Sequence, residues 1–154
     1  MINLKIANMK KLNKEIEISA SREKVWTVLV EKSYNDNWLS FFSAGTTAST
    51  DWIEGHKIIF TDNSNNGIIG KVTAKQPYEF IKITYEGVIE NGVENYESEM
   101  AKAMSGTEET YELSDSNGTT KLVISVDMGE DYFDEMSVAW DAALQRISEL
   151  SHAV

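Results

Sequence analysis

The stretch Phe133-Asp-Glu-Met136-Ser-Val-Ala-Trp140-Asp-Ala-Ala143-Leu144-Gln-Arg-Ile147-Ser-Glu-Leu150 decides how this chain must fold. Its large apolar residues recur at steps of three and four, while Asp134, Asp141, Gln145 and Glu149 hold the opposite face. That period belongs to an α-helix of about five turns with one apolar stripe. The stripe needs cover, and the upstream sequence supplies it. Leu12 to Ser19 alternates Leu12, Ile16 and Ile18 with Asn13, Glu15 and Glu17, the two-residue period of a strand with one wet face. At Ala20-Ser21 the period changes. Ser21 suits a helix N-cap, Glu23 faces the positive end of the helix dipole, and Val25, Trp26, Val28 and Leu29 continue at helical spacing to about Lys32. A second short helix is expected over Tyr34 to Phe41, and Gly45 to Ser49 as a loop or short edge strand.

From Trp52 the chain reads as an antiparallel meander. Strands over His56 to Thr61 and Ile68 to Lys75 flank a turn whose Asn66-Gly67 pair suits a type I′ hairpin. Gln76-Pro77 breaks the second strand, because proline cannot donate to a ladder. Glu79 to Val88 is the next strand, with Ile81, Ile83 and Tyr85 on one face, and it ends at Asn91-Gly92. A short helix is expected over Tyr96 to Ala103. Thr107 to Leu113 and Thr119 to Asp127 then form a hairpin around Asn117-Gly118. One strand, two helices, a run of hairpins and one long helix make an α+β pattern. Without repeats or low-complexity linkers, residues 1–154 read as a single domain with its core over 12–150.

Composition removes several function classes. With 25 acidic against 14 basic residues the net charge is −11, which repels phosphate backbones and anionic membranes, and no basic patch stands out. No cysteine means no disulfide framework, zinc ribbon or thiol nucleophile. No stretch approaches the ~18 apolar residues of a membrane span, and Met1 to Lys11 lacks an apolar h-region, so a cytoplasmic location is expected. Neither metal nor cofactor is expected. His56 stands alone inside the fold and His152 lies in the C-terminal tail. Asp62-Asn-Ser-Asn-Asn-Gly67 mimics the start of a calcium loop, but Thr73 stands at the twelfth position where the bidentate Glu belongs.

The ordered set Ile18-x-Ala20-Ser21-x-x-x-Val25-Trp26-x-x-Leu29, Trp38, Trp52-x-x-Gly55, Gly70-x-Val72, Pro77, Ile81-x-Ile83-x-Tyr85, Glu109-x-Tyr111-x-Leu113, Gly118-Thr119-x-x-Leu122 and Trp140-x-x-x-Leu144-x-x-Ile147 resembles the START-like (SRPBCC) helix-grip superfamily. Within it the chain resembles the family related to activators of the heat-shock protein 90 ATPase, over roughly Leu12 to Leu150. The resemblance implies a curved antiparallel sheet wrapped around the long C-terminal helix, with a cavity between them. Members of the superfamily include lipid carriers, hormone receptors, polyketide cyclases and chaperone co-factors, so fold alone does not decide function.

On this reading Trp38, Phe60, Tyr85, Tyr111, Phe133, Met136 and Trp140 should point inward, either lining a ligand cavity or filling the core. Met100, Met104 and Met128 add adaptable apolar contacts near Met136 or plug gaps. Trp26 is expected to pack against the end of the sheet. Glu109 shares a strand face with Tyr111 by the two-residue period; it sits either inside the cavity, with a raised pKa, or near its rim. The resulting expectation is a binding module for a small hydrophobic or amphipathic molecule. The alternatives are a chaperone-interacting protein that stimulates an ATPase, and a cyclase- or dehydratase-like enzyme using Glu109 as base.

Overall fold

The computed structural model describes residues 8–154, so most of the Met1 to Lys11 segment lies outside the described residues. The strands are β1 (Met9–Ile18), β2 (Thr47–Ser49), β3 (Lys57–Thr61), β4 (Gly67–Gln76), β5 (Phe80–Glu90), β6 (Val93–Asn95), β7 (Glu108–Ser116) and β8 (Thr119–Gly129). They form one antiparallel sheet in the order β1-β8-β7-β5-β4-β3-β2, with β6 attached to β5. The register is set by burial. Along β8 the side chains of Thr120, Leu122, Ile124, Val126 and Met128 are all buried, and Val126 stands between Leu12 on β1 and Glu109 on β7. A slip of one residue would turn that whole set outward.

Among the described residues four helices complete the fold: α1 (Arg22–Val30), α2 (Lys32–Leu39), α3 (Glu99–Met104) and α4 (Phe133–Ala153), the last entered through a 3-10 turn at Glu130–Tyr132. Ser21 caps α1 as expected, its hydroxyl accepting the Lys24 N–H. The other end of α1 explains why α2 follows at once. The carbonyl of Thr27 accepts the Glu31 N–H at 2.8 Å, that of Leu29 the Asn35 side-chain amide at 2.9 Å, and that of Val28 the Trp38 indole N–H at 3.0 Å. Carbonyls at the end of α1 are thus satisfied by the backbone N–H of its capping residue and by two side chains of the next helix. Helix α4 packs on α1, α2 and β1, burying Trp140, Ala143, Leu144 and Ile147. Full burial of each leucine or isoleucine contributes about 1.5–3 kcal/mol.

Three expectations need correction. Asn66 and Gly67 do not form a type I′ turn; the left-handed residue of that loop is Asn65, with φ 61°. The Asp62 carboxylate accepts the N–H groups of Ser64 and Asn66 and shapes a longer loop, and Gly67 is already in the ladder opposite Thr61. The helix expected over Tyr96 to Ala103 begins only at Glu99. The Asn95 side chain accepts the N–H groups of Glu97 and Ser98 and turns the chain, and Ser98 caps the helix. The three residues before that turn form β6, which the alternation did not signal. Strand β1 starts three residues earlier than Leu12, because Met9–Lys11 still find partners on β8.

Candidate functional site

Between the concave sheet and the head of α4 lies a recess of about 330 Å³. Its apolar walls come from Phe60 and Ile68 on the β3–β4 hairpin, Met104 at the end of α3, Val126 and Met128 on β8, and Met136 and Trp140 on α4. The hairpin can close on this space because Gly67 has no side chain: a Cβ there would stand 1.6 Å from the Phe60 carbonyl oxygen.

One polar unit is buried in this wall. The alternation of β7 turns Glu109, Tyr111 and Leu113 to the inner face, and β5 brings Tyr85 alongside. The Tyr85 hydroxyl donates to Glu109 Oε1 at 2.7 Å, and the Tyr111 hydroxyl donates to Glu109 Oε2. Glu109 is only 8% exposed. Loss of hydration pushes its pKa up, partly offset by the two hydroxyl donors, which favour the charged form. Burial, reinforced by the Glu109 charge, pushes both phenols well above the ordinary tyrosine value, so they remain protonated donors. The arrangement can receive a hydrogen bond from a molecule in the recess, or accept a proton from it.

The structure distributes the expected site residues unequally. Phe60, Tyr85, Glu109, Met136 and Trp140 border the recess. Tyr111 does not; it stands behind Glu109, its ring 6.1 Å from that of Trp140 and 6.4 Å from that of Trp38. Trp38 lies deep in the core, committed by its indole N–H to the end of α1. Phe133 faces β1, where the Lys10 ammonium sits 5.2 Å from its ring centroid. Of the methionines, Met104 and Met128 join Met136, whereas Met100 is outside the lining. Trp26 packs edge-on against Tyr78 in the β4–β5 turn, ring centroids 5.9 Å apart. His56 is exposed and bonds Asp51 at 2.7 Å.

Sequence reasoning missed Phe42 and Tyr132, both bordering the recess. Phe42 lies in the turn after α2 and Tyr132 in the three-residue 3-10 turn before α4, both too short for a period to mark a facing direction. Val126 carried a usable signal, since it continues the inward set of Leu122 and Ile124. Among the described residues, no group of three or more His, Asp or Glu side chains could hold a metal ion, and no helix is long and apolar enough to cross a membrane.

Residues 19–151 match the model of the family described as Activator of Hsp90 ATPase homolog 1-like protein. The chain belongs to that family. Solved structures agree on the fold of this Activator of Hsp90 ATPase homolog 1-like chain. It is similar to the Aha1 dimer from Colwellia psychrerythraea, at 20% identity over 91% of this chain and 94% of that one, TM-score 0.69. It is similar also to protein MLL2253 from Mesorhizobium loti, at 15% identity over 94% and 98%, TM-score 0.73. CalU16 from Micromonospora echinospora is likewise similar, at 17% identity over 93% and 76%, TM-score 0.65. No curated protein matches the chain in sequence. The fold is therefore the α+β helix-grip: a curled antiparallel sheet, two short helices after the first strand, and a long C-terminal helix.

Proposed function

We propose that this protein binds a small hydrophobic or amphipathic molecule in the recess between the sheet and the head of α4, working in the cytoplasm. The observation that carries this reading is an apolar recess of about 330 Å³ with one buried polar unit, Tyr85–Glu109–Tyr111, set in its wall. Small-molecule sites have this composition: apolar lining for affinity and a few placed polar groups for orientation. Each Å² of apolar ligand surface removed from water supplies about 25 cal/mol. The test is titration with Nile red, a neutral apolar dye, alongside native mass spectrometry of the purified protein. Dye fluorescence should rise on binding, and Met136→Trp, which fills the recess, should abolish the rise. Undiminished binding by that variant would rule the recess out.

Glu109 favours a second reading. A buried carboxylate with raised proton affinity beside an open recess is placed to act as a general base, as a cyclase or dehydratase requires. That reading expects Glu109→Gln to bind ligand but lose turnover. The family's description keeps chaperone contact as the competing role. It is tested by adding the protein to a cognate heat-shock protein 90-type ATPase and measuring phosphate release.

A further inference from the structure

We propose that the recess selects its ligand by head group, taking an apolar molecule that ends in a hydrogen-bond donor, hydroxyl or ammonium, and rejecting carboxylates and phosphates. The inference rests on the recess being a ligand site and specifies which molecules that site takes. Each tyrosine has a single O–H, and both O–H groups are spent on Glu109. What Tyr85 and Glu109 present to the recess is therefore lone pairs alone: the phenol oxygen and the remaining acceptor positions of the carboxylate. A hydroxyl or ammonium finds partners there. A carboxylate or phosphate finds none, and is brought against a buried negative charge.

The rest of the border reinforces the choice. Its other acidic residues are Asp62 and Asp127, and Asp127, between the inward Val126 and Met128, turns its carboxylate to the outer face of β8. Asp62 accepts the N–H groups of Asn66 and Ser64 and the Ser43 hydroxyl, which hold it below the usual carboxylate range, and among the described residues no cation pairs with it. Asp127 is met by Lys11 at 2.8 Å and by the Glu108 N–H at 3.0 Å. No lysine, arginine or histidine borders the recess among the described residues. The side-chain donors on the border, the Thr61 hydroxyl, the Asn66 amide, the Tyr132 phenol and the Trp140 indole N–H, are all neutral, and the Thr46 hydroxyl is spent on the Ser43 carbonyl.

The experiment uses naphthylmethylamine, naphthalenemethanol and naphthoate, three probes sharing one ring system, titrated calorimetrically near neutral pH at about 0.15 M salt, where long-range charge is screened beyond about 8 Å. The amine and the alcohol should bind, and naphthoate at least tenfold more weakly. Glu109→Gln, whose amide offers N–H donors, should narrow that gap at least threefold. Tyr85→Phe, which removes only the phenol oxygen, should weaken the alcohol and leave naphthoate unchanged, so the inference stays testable should Glu109→Gln fail to fold. Naphthoate binding as tightly as the alcohol would overturn the head-group inference while leaving the ligand site standing. A gap that neither variant alters would also overturn it, by tracing selectivity to overall charge. Failure of all three probes and of Nile red to bind would instead overturn the ligand site itself.

Discussion

The interior has two aromatic regions built from the same residue types, one closed and one open. In the closed region Trp38, Tyr111 and Trp140 meet edge-on or tilted with centroids 6.1–6.4 Å apart, and the Trp38 indole N–H is consumed by the Val28 carbonyl. In the open region Phe60 and Tyr85 meet at 6.4 Å across the end of a recess, with Met104 and Met136 facing the same space. Trp140 belongs to both, touching Trp38 on one side and bordering the recess on the other. Aromatic content does not separate packing from binding. The fate of the polar ends does: Trp38 spends its only side-chain donor on backbone, whereas Tyr85 and Glu109 keep acceptors facing the recess.

Breaking the closed region should produce the largest effect. Trp38→Ala removes a fully buried ring and leaves helix α1 with an unpartnered carbonyl, so unfolding free energy should fall by about 3–5 kcal/mol in a urea titration. Trp38→Phe separates the two causes. It keeps most of the packing but deprives the Val28 carbonyl of its donor, for a loss of about 1–3 kcal/mol. Nile red affinity per folded molecule should stay unchanged in the phenylalanine variant, since Trp38 does not border the recess.

Gly67→Ala attacks the open region through its backbone. The new Cβ would stand 1.6 Å from the Phe60 carbonyl oxygen, so β3 and β4 must separate locally. A loss of about 1–3 kcal/mol is expected, with weaker dye binding, because Phe60 and Ile68 on that hairpin form one wall. Stability unaffected by this change would mean that the hairpin relaxes freely. Met136→Ala should cost less, about 1–2 kcal/mol, because this side chain is only half-buried and borders the recess. The same change should enlarge the recess and favour bulkier probes, which a series of alkylated naphthalenemethanols would detect.

The contrast between the two regions also shows what the sequence made legible. The stripe from Phe133 to Leu150 and the alternation of Leu122, Ile124 and Val126 were readable because a burial period of 3.6 or 2 is written into successive residues. Asn117-Gly118 and Asn91-Gly92 both adopt left-handed backbone, with φ 51° and 86° in the first pair and 51° and 81° in the second. Asn66-Gly67 has the same two residues and does otherwise, because Asp62 four positions earlier draws the loop's N–H groups onto its carboxylate. A dipeptide cannot announce such a competitor. The family resemblance implied an inward Trp38, which is buried, but its use is settled by a carbonyl ten positions away. For Glu109 the two-residue period fixed the face it shares with Tyr111 and left its depth undecided. Depth depends on how far the sheet curls over α4, a property of every strand together.

The subtlest test of the open region follows the pH dependence of Glu109. Burial raises its pKa in the folded protein above the ordinary value of 4.5, against the pull of the two tyrosine hydroxyls. Between the unfolded and the folded pKa, the folded protein binds more protons at this site than the unfolded chain does. The Glu109 contribution to stability is therefore fully present below pH 4.5 and is lost as pH rises through the folded pKa. Glu109→Gln has nearly the same shape and no titration. Unfolding free energies of the two proteins, measured by urea at closely spaced pH values, should move in the variant's favour as pH rises above 4.5 and become parallel once Glu109 is ionised in both states. A difference that instead moves toward the wild-type protein as pH rises toward 4.5, and is flat above it, would show that the hydroxyl donors outweigh burial. In that case the carboxylate would be held charged, the base role would lose its driving force, and the acceptor-only wall would persist to lower pH.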